Sequence, residues 1–143
     1  MISLSKESLD NLPQEVKSPN YNRKTIKQGF VHIGVGGFHR SHQAYYINNL
    51  LSDRENDEWG ICGIGLRKDD QKIFESLTEQ NGLYSLITRS PNGLIESEII
   101  GSIINFIWAY KTPEKALKKL ADVATKIVSL TITEGGFLSL IHI

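Results

Sequence analysis

The feature that most constrains the fold is a glycine-rich turn between a strand-like run and a helix-like run. The β-prone residues 30–34 lead into Gly-Val-Gly-Gly-Phe at residues 34–38, and apolar residues then recur at helical spacing over residues 41–51. Gly34 would make the tight turn, and Gly36 would let a pyrophosphate approach backbone amides at the start of a helix. The alternative is a turn that binds no ligand, because a strict GxGxxG has glycine or alanine where this chain has His39.

A pair of acids stands where a dinucleotide-binding fold requires one. Asp69 and Asp70 follow a second strand-like run, residues 60–66, and an acid there binds the ribose hydroxyls of adenosine. The spacing from the glycine turn exceeds the roughly 20 residues usual for this motif, because the first helix and its connection are long. The alternative is that the acids only cap the next helix, and the two roles are compatible. Arg67 and Lys68 could accept a 2′-phosphate, but we favour NAD over NADP.

Strands alternate with helices along the rest of the chain. The predicted elements are strands over residues 30–34, 60–66 and 126–133, helices over residues 41–51, 69–79 and from Thr112 onward, and β-rich runs over residues 83–89 and 94–104. Pro91-Asn92-Gly93 between those runs predicts a hairpin turn, and the hydroxyl of Thr112 before Pro113 predicts a helix cap. The order is β-α-β-α, a hairpin, then α-β. It predicts a Rossmann-like α/β fold: a doubly wound, mainly parallel sheet with a β-hairpin insertion.

The two later helices each have a predicted core face. These faces are Ile73, Phe74 and Leu77 in the first, and Ala116, Leu117 and Leu120 in the second. Both sets recur at helical spacing, so both helices are expected to pack on the sheet.

Composition and charge exclude several classes of protein. Lys+Arg and Asp+Glu both number 16, so the formal net charge is zero and predicts neither nucleic acid nor an anionic membrane as a partner. The longest apolar stretch, residues 99–110, is too short to span a bilayer, and residues 1–7 lack the apolar core of a secretory signal. The single cysteine, Cys62, lies in an apolar run and is expected to be a buried, inert thiol. These features predict a cytoplasmic protein.

The histidines predict no metal site. His39 and His42 have the i, i+3 spacing of ligands on a helix, but no acid or cysteine lies nearby and a pyrophosphate would sit alongside. They are therefore interpreted as a polar helix start. His32 alternates with apolar residues and is expected to be a packed strand side chain. Trp59 and Trp108 are expected in the core or at its rim.

Three blocks of the sequence closely resemble the polyol-specific long-chain dehydrogenase/reductase family, and its mannitol-type members in particular. They are residues 31–46, residues 59–66 with 82–84, and residues 127–137, which end in Thr-Ile-Thr-Glu-Gly-Gly-Phe. The resemblance implies an NAD-dependent, metal-independent oxidoreductase that interconverts a polyol such as D-mannitol with its ketose, D-fructose. It also implies a small polyol or ketose as the substrate of the full-length enzyme.

The resemblance implies roles for individual residues as well. The glycine turn would hold the pyrophosphate, the acidic pair would select against NADP, and the end of the last strand would face the cofactor. The cofactor-binding residues expected on these grounds are Gly34, Gly36, Gly37, Phe38, Asp69, Asp70, Thr133 and Glu134. The family's catalytic lysine base, asparagines and histidine belong to sequence downstream of the likeness, so no catalytic residue is assigned in this chain.

The likeness to the family stops after Phe137. We divide the chain into an N-terminal arm (residues 1–28), an incomplete dinucleotide-binding domain (residues 29–137) and a tail (residues 138–143) interpreted as translated adapter sequence. The helical substrate domain of the family is expected to be absent. A sheet truncated there would leave an apolar edge uncovered, so the chain alone is predicted to be marginally stable and catalytically inactive.

Three other functions stay open at this point. Fructuronate or tagaturonate reductases share this N-terminal half and differ from polyol dehydrogenases in their substrate. A non-catalytic module that binds a dinucleotide would need the same turn and acid. An S-adenosylmethionine-dependent methyltransferase also uses a glycine turn and an acid after the second strand, although the three blocks favour the polyol dehydrogenases.

Overall fold

Strands and helices alternate along the chain and assemble as a central sheet with a separate hairpin. The computed structural model describes residues 4–5, 8–53 and 56–132. In chain order the elements are β1 (Phe30–Ile33), α1 (Gly37–Ser41), α2 (Gln43–Leu51), β2 (Ile61–Gly65), α3 (Gln71–Glu79), β3 (Tyr84–Arg89), β4 (Ile95–Ile100), β5 (Ile103–Trp108), α4 (Pro113–Leu120) and β6 (Ile127–Leu130). None of these helices is both long and apolar enough to cross a membrane.

Four of the strands form a parallel sheet in the order β5-β2-β1-β6. β1 pairs with β2 through Phe30↔Ile61 and with β6 through Phe30↔Ile127. The chain therefore runs outward from β1 through β2 to β5 and then crosses to the other side of β1. Such a reversal is a topological switch point, where open α/β sheets bind ligands beyond the carboxyl ends of the strands. The predicted Rossmann-like, mainly parallel fold is confirmed.

Helices cover both faces of the sheet and create two apolar cores. One core packs α2, α3 and the hairpin strands on the sheet, and its buried members are Phe30, Val35, Ala44, Ile61, Leu77, Tyr84, Ile100, Ile103 and Phe106. The other packs α4 on the sheet through Val31, Cys62, Ile64, Ala109 and Ala116. Successive strand side chains point to opposite faces, so Ile61 and Cys62 enter different cores and both are fully buried. A strand buried on both faces requires the continuous apolar run seen in β2.

β3 and β4 form the predicted hairpin, an antiparallel pair outside the central sheet. The Ser90 N–H donates to Leu94 O at 2.9 Å and closes the turn. Asn48 of α2 fastens the other end, because its side-chain N–H donates to Glu98 Oε1 at 3.0 Å and its Oδ1 accepts from Gly101 N at 2.9 Å. The hairpin is therefore tied to α2 by a buried amide whose donor and acceptor are both used.

The structure corrects the extent of the second β-rich run. The sequence predicts one run over residues 94–104, but β4 ends at Ile100 and a separate strand, β5, begins at Ile103. A buried corner at Ser102 separates them: its hydroxyl donates to a carbonyl of α2 at 2.6 Å and its carbonyl accepts from Ile61 N at 2.9 Å. Gly101 and Ser102 interrupt the apolar residues at the corner, but so short a break is also compatible with one continuous strand. The predicted element order therefore lacked β5, the strand that pairs with β2 on the side opposite β1.

The first two helices begin at different residues from those predicted. α1 begins at Gly37 rather than at residue 41, because the last glycine of the turn already has helical conformation. His42, with φ −120° and ψ −81°, then separates α1 from α2. α3 begins at Gln71 rather than at residue 69, because Lys68–Asp70 form a 3-10 turn. The helices are thus shorter and more segmented than the periodicity predicts.

The predicted core face of α4 is correct only in part. Ala116 and Leu120 pack against the second core, but Leu117 is 66% exposed and points away from the sheet. The predicted hydroxyl cap is also wrong, because Thr112 Oγ1 donates to Trp108 O at 3.2 Å and makes no cap hydrogen bond to the helix. α4 therefore rests on the sheet along a narrower stripe than predicted.

Arg23 docks the N-terminal arm on the rest of the fold. Its Nε donates to Gly101 O at 2.8 Å, and its Nη2 donates to Asn81 O at 2.6 Å and Ile103 O at 2.9 Å. All three acceptors are backbone carbonyls near the ends of α3 and β4 and at the start of β5. One side chain thus satisfies peptide groups from three places where regular structure stops.

The packing of α3 gives a direct test of where the core lies. Leu77→Ala should lower the free energy of unfolding by about 2–5 kcal/mol, since Leu77 is 2% exposed and its truncation leaves a cavity. Leu117→Ala is the matched control on α4 and should cost less than about 0.5 kcal/mol. Urea unfolding followed by circular dichroism measures both. Equal losses in the two variants would contradict this account of the core.

Candidate functional site

The glycine turn lies at the carboxyl end of β1, at the switch point of the sheet. Gly34 has a φ of +90°, and its N–H donates to Ile64 O at 2.9 Å while its carbonyl accepts from Gly36 N at 2.8 Å. Arg40 N then donates to Gly36 O at 3.1 Å. The amides of the first turn of α1 precede that bond and have no acceptor within the helix. They are therefore the groups that a ligand at this edge would meet.

The two following glycines are not explained by the protein's own packing. Gly36 and Gly37 do not have positive φ angles. A Cβ added to Gly37 would meet no described atom within 4 Å, and one added to Gly36 would lie 4.0 Å from Gly34 O. Gly63 in β2 contrasts with them, because a Cβ there would lie 2.6 Å from Val35 Cγ2. The outer side of the turn is thus open, whereas its inner side is closely packed.

Phe38 lies on the open side of the same turn. Its side chain is 67% exposed and stacks on the ring of His42, with 4.4 Å between the ring centroids. The turn therefore presents an exposed aromatic ring directly after its last glycine.

The two acids lie beyond the end of β2 and are not equivalent. Asp70 Oδ2 accepts from Arg67 N at 2.8 Å, so this carboxylate holds the loop that follows β2. The side chain of Asp69 is 83% exposed, and its Oδ2 lies 3.7 Å from Arg67 Nη2. Asp70 therefore holds the 3-10 turn that precedes α3 and makes no side-chain cap hydrogen bond to α3 itself, so the predicted cap of the next helix is wrong. The Asp69 carboxylate is exposed toward solvent.

An aromatic group at the end of β5 supports the acid loop. Trp108 is 5% exposed, as expected for a core or rim residue, and its Nε1 donates to Arg67 O at 2.9 Å. Tyr110 is 54% exposed and stacks on Trp108, and Lys111 Nζ lies 4.9 Å from the Trp108 ring centroid. Sequence reasoning missed this group because it did not recognise β5. A strand over residues 103–108 would have brought these side chains to the same edge as the acids.

Two histidines stack beneath the glycine turn. The rings of His32 and His39 have centroids 3.7 Å apart and planes inclined by 10°. Burial, together with the nearby His32 and Arg40, lowers the pKa of His39 to about 3. Burial also lowers the pKa of His32, against a smaller opposing effect of a hydrogen bond with the Gly34 backbone. Both imidazoles are therefore neutral near pH 7. His32 is packed as predicted, but His39 is buried and is not the polar helix start that the sequence suggested.

Two further expectations concern the cysteine and metals. Cys62 is fully buried as predicted, and burial raises the pKa of its thiol to about 11, which makes the reactive thiolate rare. Within the described ranges, no group of three or more His, Cys, Asp or Glu side chains could hold a metal ion. The last two expected cofactor-binding residues, Thr133 and Glu134, lie outside the described residues.

Comparison with known sequences identifies similar proteins. A family model described as the mannitol dehydrogenase Rossmann domain matches residues 28–143. Mannitol 2-dehydrogenase of Aspergillus fumigatus is 46% identical over 123 residues, which cover 85% of this chain and 24% of that protein. Mannitol dehydrogenase 2 of Saccharomyces cerevisiae is 38% identical over 135 residues, covering 94% of this chain and 27% of that protein. The chain thus spans about a quarter of the length of these curated relatives.

Solved structures give the same result. Mannitol 2-dehydrogenase of Pseudomonas fluorescens, in a ternary complex with NAD and D-mannitol, superposes with a TM-score of 0.91 and 43% identity over 95% of this chain and 28% of that one. A substrate-free D-sorbitol dehydrogenase superposes with a TM-score of 0.85 and 39% identity over 94% of this chain and 28% of that one. Both matches cover nearly all of the present chain.

The stacked histidines predict a stability that falls in acid. The pKa of His39 is lowered in the folded chain, so the unfolded chain binds more protons below about pH 6.5 and stability is lost as the pH falls from there toward about 3. The free energy of unfolding should drop by about 1 kcal/mol per pH unit between about pH 6 and 5 from this residue. Replacing His39 with phenylalanine should flatten that slope in urea unfolding at several pH values.

The exposed His42 provides the control for this measurement. His42→Phe removes an imidazole from the same segment and should leave the slope in place. A slope that survives in His39→Phe would show that other groups cause the acid sensitivity.

Proposed function

Since the chain belongs to the mannitol dehydrogenase family and matches its Rossmann domain, we propose that it binds NAD beyond the carboxyl ends of β1, β2 and β6. Dinucleotides bind Rossmann sheets at the switch point of the strand order. The observation that carries the proposal is the open space outside Gly36 and Gly37. Neither backbone conformation nor packing against the described residues calls for glycine at these positions, so a ligand that approaches the backbone closely accounts for both.

The proposed arrangement follows the edge of the sheet. The pyrophosphate lies on the turn formed by Gly34, Gly36, Gly37 and Phe38, where it accepts hydrogen bonds from the first-turn amides of α1. The adenosine ribose lies at Asp69, whose exposed carboxylate can accept from both of its hydroxyls. The adenine extends toward the end of β5, where the exposed ring of Tyr110 offers a stacking surface. Thr133 and Glu134 are proposed to face the cofactor at the end of β6.

The acid loop supports NAD rather than NADP as the cofactor. A 2′-phosphate would be placed against the Asp69 carboxylate, and that repulsion disfavours NADP. Arg67, which could otherwise bind a phosphate, lies 3.7 Å from Asp69 in an ion pair. The loop is also held by Asp70 and Trp108 through the backbone of Arg67. The favoured cofactor is therefore NAD, and the choice depends on Asp69 more than on Asp70.

For the whole protein we propose the interconversion of a polyol with its ketose. Support comes from the names of its relatives, which are mannitol dehydrogenases, and from the D-mannitol in the Pseudomonas complex. When bound, NAD supplies the acceptor for a hydride that leaves the carbinol carbon of the polyol as that carbon becomes a carbonyl. The described residues are assigned to binding and orienting the cofactor, and none is assigned to the proton transfer. D-mannitol and D-fructose are the proposed pair, and a sugar-acid reductase remains the alternative within the family.

The open side of the turn predicts a variant that folds normally but binds poorly. Gly37→Ala should leave the free energy of unfolding unchanged or raise it, because alanine suits a helix better than glycine by about 0.5–1 kcal/mol. Its methyl group would stand where the pyrophosphate approaches, so the Kd for NAD should rise by about tenfold or more. Isothermal titration calorimetry on the 143-residue chain measures the affinity, and thermal unfolding measures the stability.

Gly63→Ala is the contrasting variant, because Gly63 lies in β2 where that strand packs against the turn. Its Cβ would overlap Val35 and Phe106, so it should lower stability by about 1–3 kcal/mol. If Gly37→Ala binds NAD as tightly as the wild type, a bound pyrophosphate is not the reason for glycine at this position and the proposed site is wrong. A wild-type chain that is folded but does not bind NAD would refute the proposal directly.

The different surroundings of Asp69 and Asp70 predict that a substitution at Asp69 changes the preference between NAD and NADP. Asp69→Asn removes the charge that opposes a 2′-phosphate and frees Arg67, so the Kd for NAD should rise by about tenfold and the Kd for NADP should fall. Asp70→Asn is the matched control, because the amide oxygen can still accept from Arg67 N and the loop keeps its shape. Competitive titration with both dinucleotides measures the preference. A change of preference in the control alone would reverse the assigned roles.

A further inference from the structure

We propose that the stacked rings of His32 and His39 hold the glycine turn in the position that a pyrophosphate requires, which makes His39 a positioning residue for dinucleotide binding. The inference rests on the proposed function and adds to it the side chain that places the turn. It concerns the one position at which the sequence departs from the dinucleotide fingerprint.

The stack occupies the joint between α1 and β1. In the fingerprint, the residue at this position is small so that the helix packs closely on the strand. Here His39 points into the joint and lies flat on His32, with the ring planes inclined by 10° and the centroids 3.7 Å apart. The side chains of His39 and His32 are almost fully buried, with 1% and 4% of each residue exposed. The thickness of two rings therefore sets the distance from the turn to the sheet.

Hydrogen bonds to β6 and to the residue that follows it immobilise one ring of the stack. His32 Nδ1 lies 2.8 Å from Ser129 Oγ, and His32 Nε2 lies 3.1 Å from Thr131 Oγ1. In a neutral imidazole one nitrogen donates and the other accepts, and a hydroxyl can do either, so the two hydroxyls match both ring nitrogens. Both nitrogens of His32 are thus used in its neutral form. Contacts run from β6 through His32 to His39, and they cross the switch point where the dinucleotide is proposed to lie.

The other ring acts through its shape. Among the described residues, neither ring nitrogen of His39 has a hydrogen-bond partner, although both are buried. Stacking on His32 therefore locates this side chain, and removing its nitrogens would break no hydrogen bond described here. A second anchor reaches α1 from the hairpin, where Tyr84 OH donates to Arg40 O at 2.6 Å. α1 has five residues, so these two anchors have a large share in placing it.

The surroundings of the stack favour neutral rings. The charged or titratable groups that act on His39 are His32 on β1 and Arg40 on α1, while α2, β6 and the residue after β6 offer the neutral Gln43, Ser129 and Thr131. No carboxylate of the described residues contacts either ring. A proton on either imidazole would place an unpaired charge in a buried contact, which separates the rings.

The test compares ADP-ribose with adenosine, which lacks the pyrophosphate and the terminal ribose that ADP-ribose carries. ADP-ribose and adenosine are titrated into the 143-residue chain at about pH 8, as wild type, His39→Ala, His39→Phe and Leu77→Ala. His39→Ala should weaken ADP-ribose by about tenfold and adenosine by less than about twofold, since only the pyrophosphate depends on the turn. His39→Phe keeps a flat ring and should stay within about threefold of the wild type for both ligands. Leu77→Ala, which is destabilised in α3 and leaves the histidine stack intact, should bind both ligands normally in its folded fraction.

The pH dependence adds a readout that a purely structural role would not move. Between about pH 5 and pH 3, the ratio of the wild-type affinity for ADP-ribose to that for adenosine should fall by about twofold, because His39 gains a proton in the folded chain only near its pKa of about 3. The adenine is common to both ligands and a pyrophosphate diester has no second ionisation, so the ligands do not cause the change in this ratio. The fall should be absent in His39→Phe. This comparison decides the question even if His39→Ala does not fold.

Three outcomes would overturn the inference. His39→Ala could bind ADP-ribose like the wild type, it could lose both ligands in parallel, or His39→Phe could keep the fall in the affinity ratio at low pH. A folded wild-type chain that binds no ADP-ribose would overturn the proposed function and the inference with it. If the wild-type chain binds ADP-ribose and His39→Ala binds it equally well, the inference fails while the proposed function stands.

Discussion

Everything at the candidate site depends on the pairing of β1 with a parallel neighbour on each side. β2 and β6 bond to it in register over the whole of Phe30–Ile33, so both backbone edges of β1 are used and both of its faces are packed. A strand enclosed in this way leaves the sheet only at its end, and the chain must turn at once to begin a covering helix. Gly34 makes that turn with a φ of +90°, a conformation that favours glycine. The open amides of α1 are a consequence of this geometry.

Gly63 differs from Gly36 and Gly37 in what it contacts, and the difference carries functional information. Gly63 is required by the fold, because a Cβ there would overlap Val35 and Phe106. Gly36 and Gly37 stand in ordinary backbone conformations with open space outside them. Because contacts with the described residues do not require glycine at either position, we interpret the two glycines as making room for a ligand. The physical case for a ligand thus rests on where side chains are absent as much as on where they are present.

Polar groups are arranged around the same edge so that each restrains backbone. Asp70 and Trp108 both bond to the backbone of Arg67 and hold the loop that carries Asp69. Ser129 and Thr131 hold His32, which in turn supports His39 beneath the glycine turn. The far edge of the sheet is less complete, since Val128 and Leu130 of β6 are 48% and 55% exposed, as expected for an apolar edge that nothing described covers. The restraints therefore concentrate where the strand order reverses.

The sequence by itself determined the fold class, the two ends of the candidate site and the family. These predictions depend on local signals: β-prone runs before glycines, an acid after the second strand, and helical periodicity between them. The sequence did not reveal β5, because the two-residue break at Gly101 and Ser102 is also compatible with one continuous strand. It placed Leu117 in the core because periodicity alone does not say how wide a stripe of α4 the sheet covers. Only the tertiary structure separated the roles of Asp69 and Asp70 and stacked His39 on His32. Those relations join residues whose partners are chosen by strand pairing and packing, and no local pattern encodes a partner that lies on another strand.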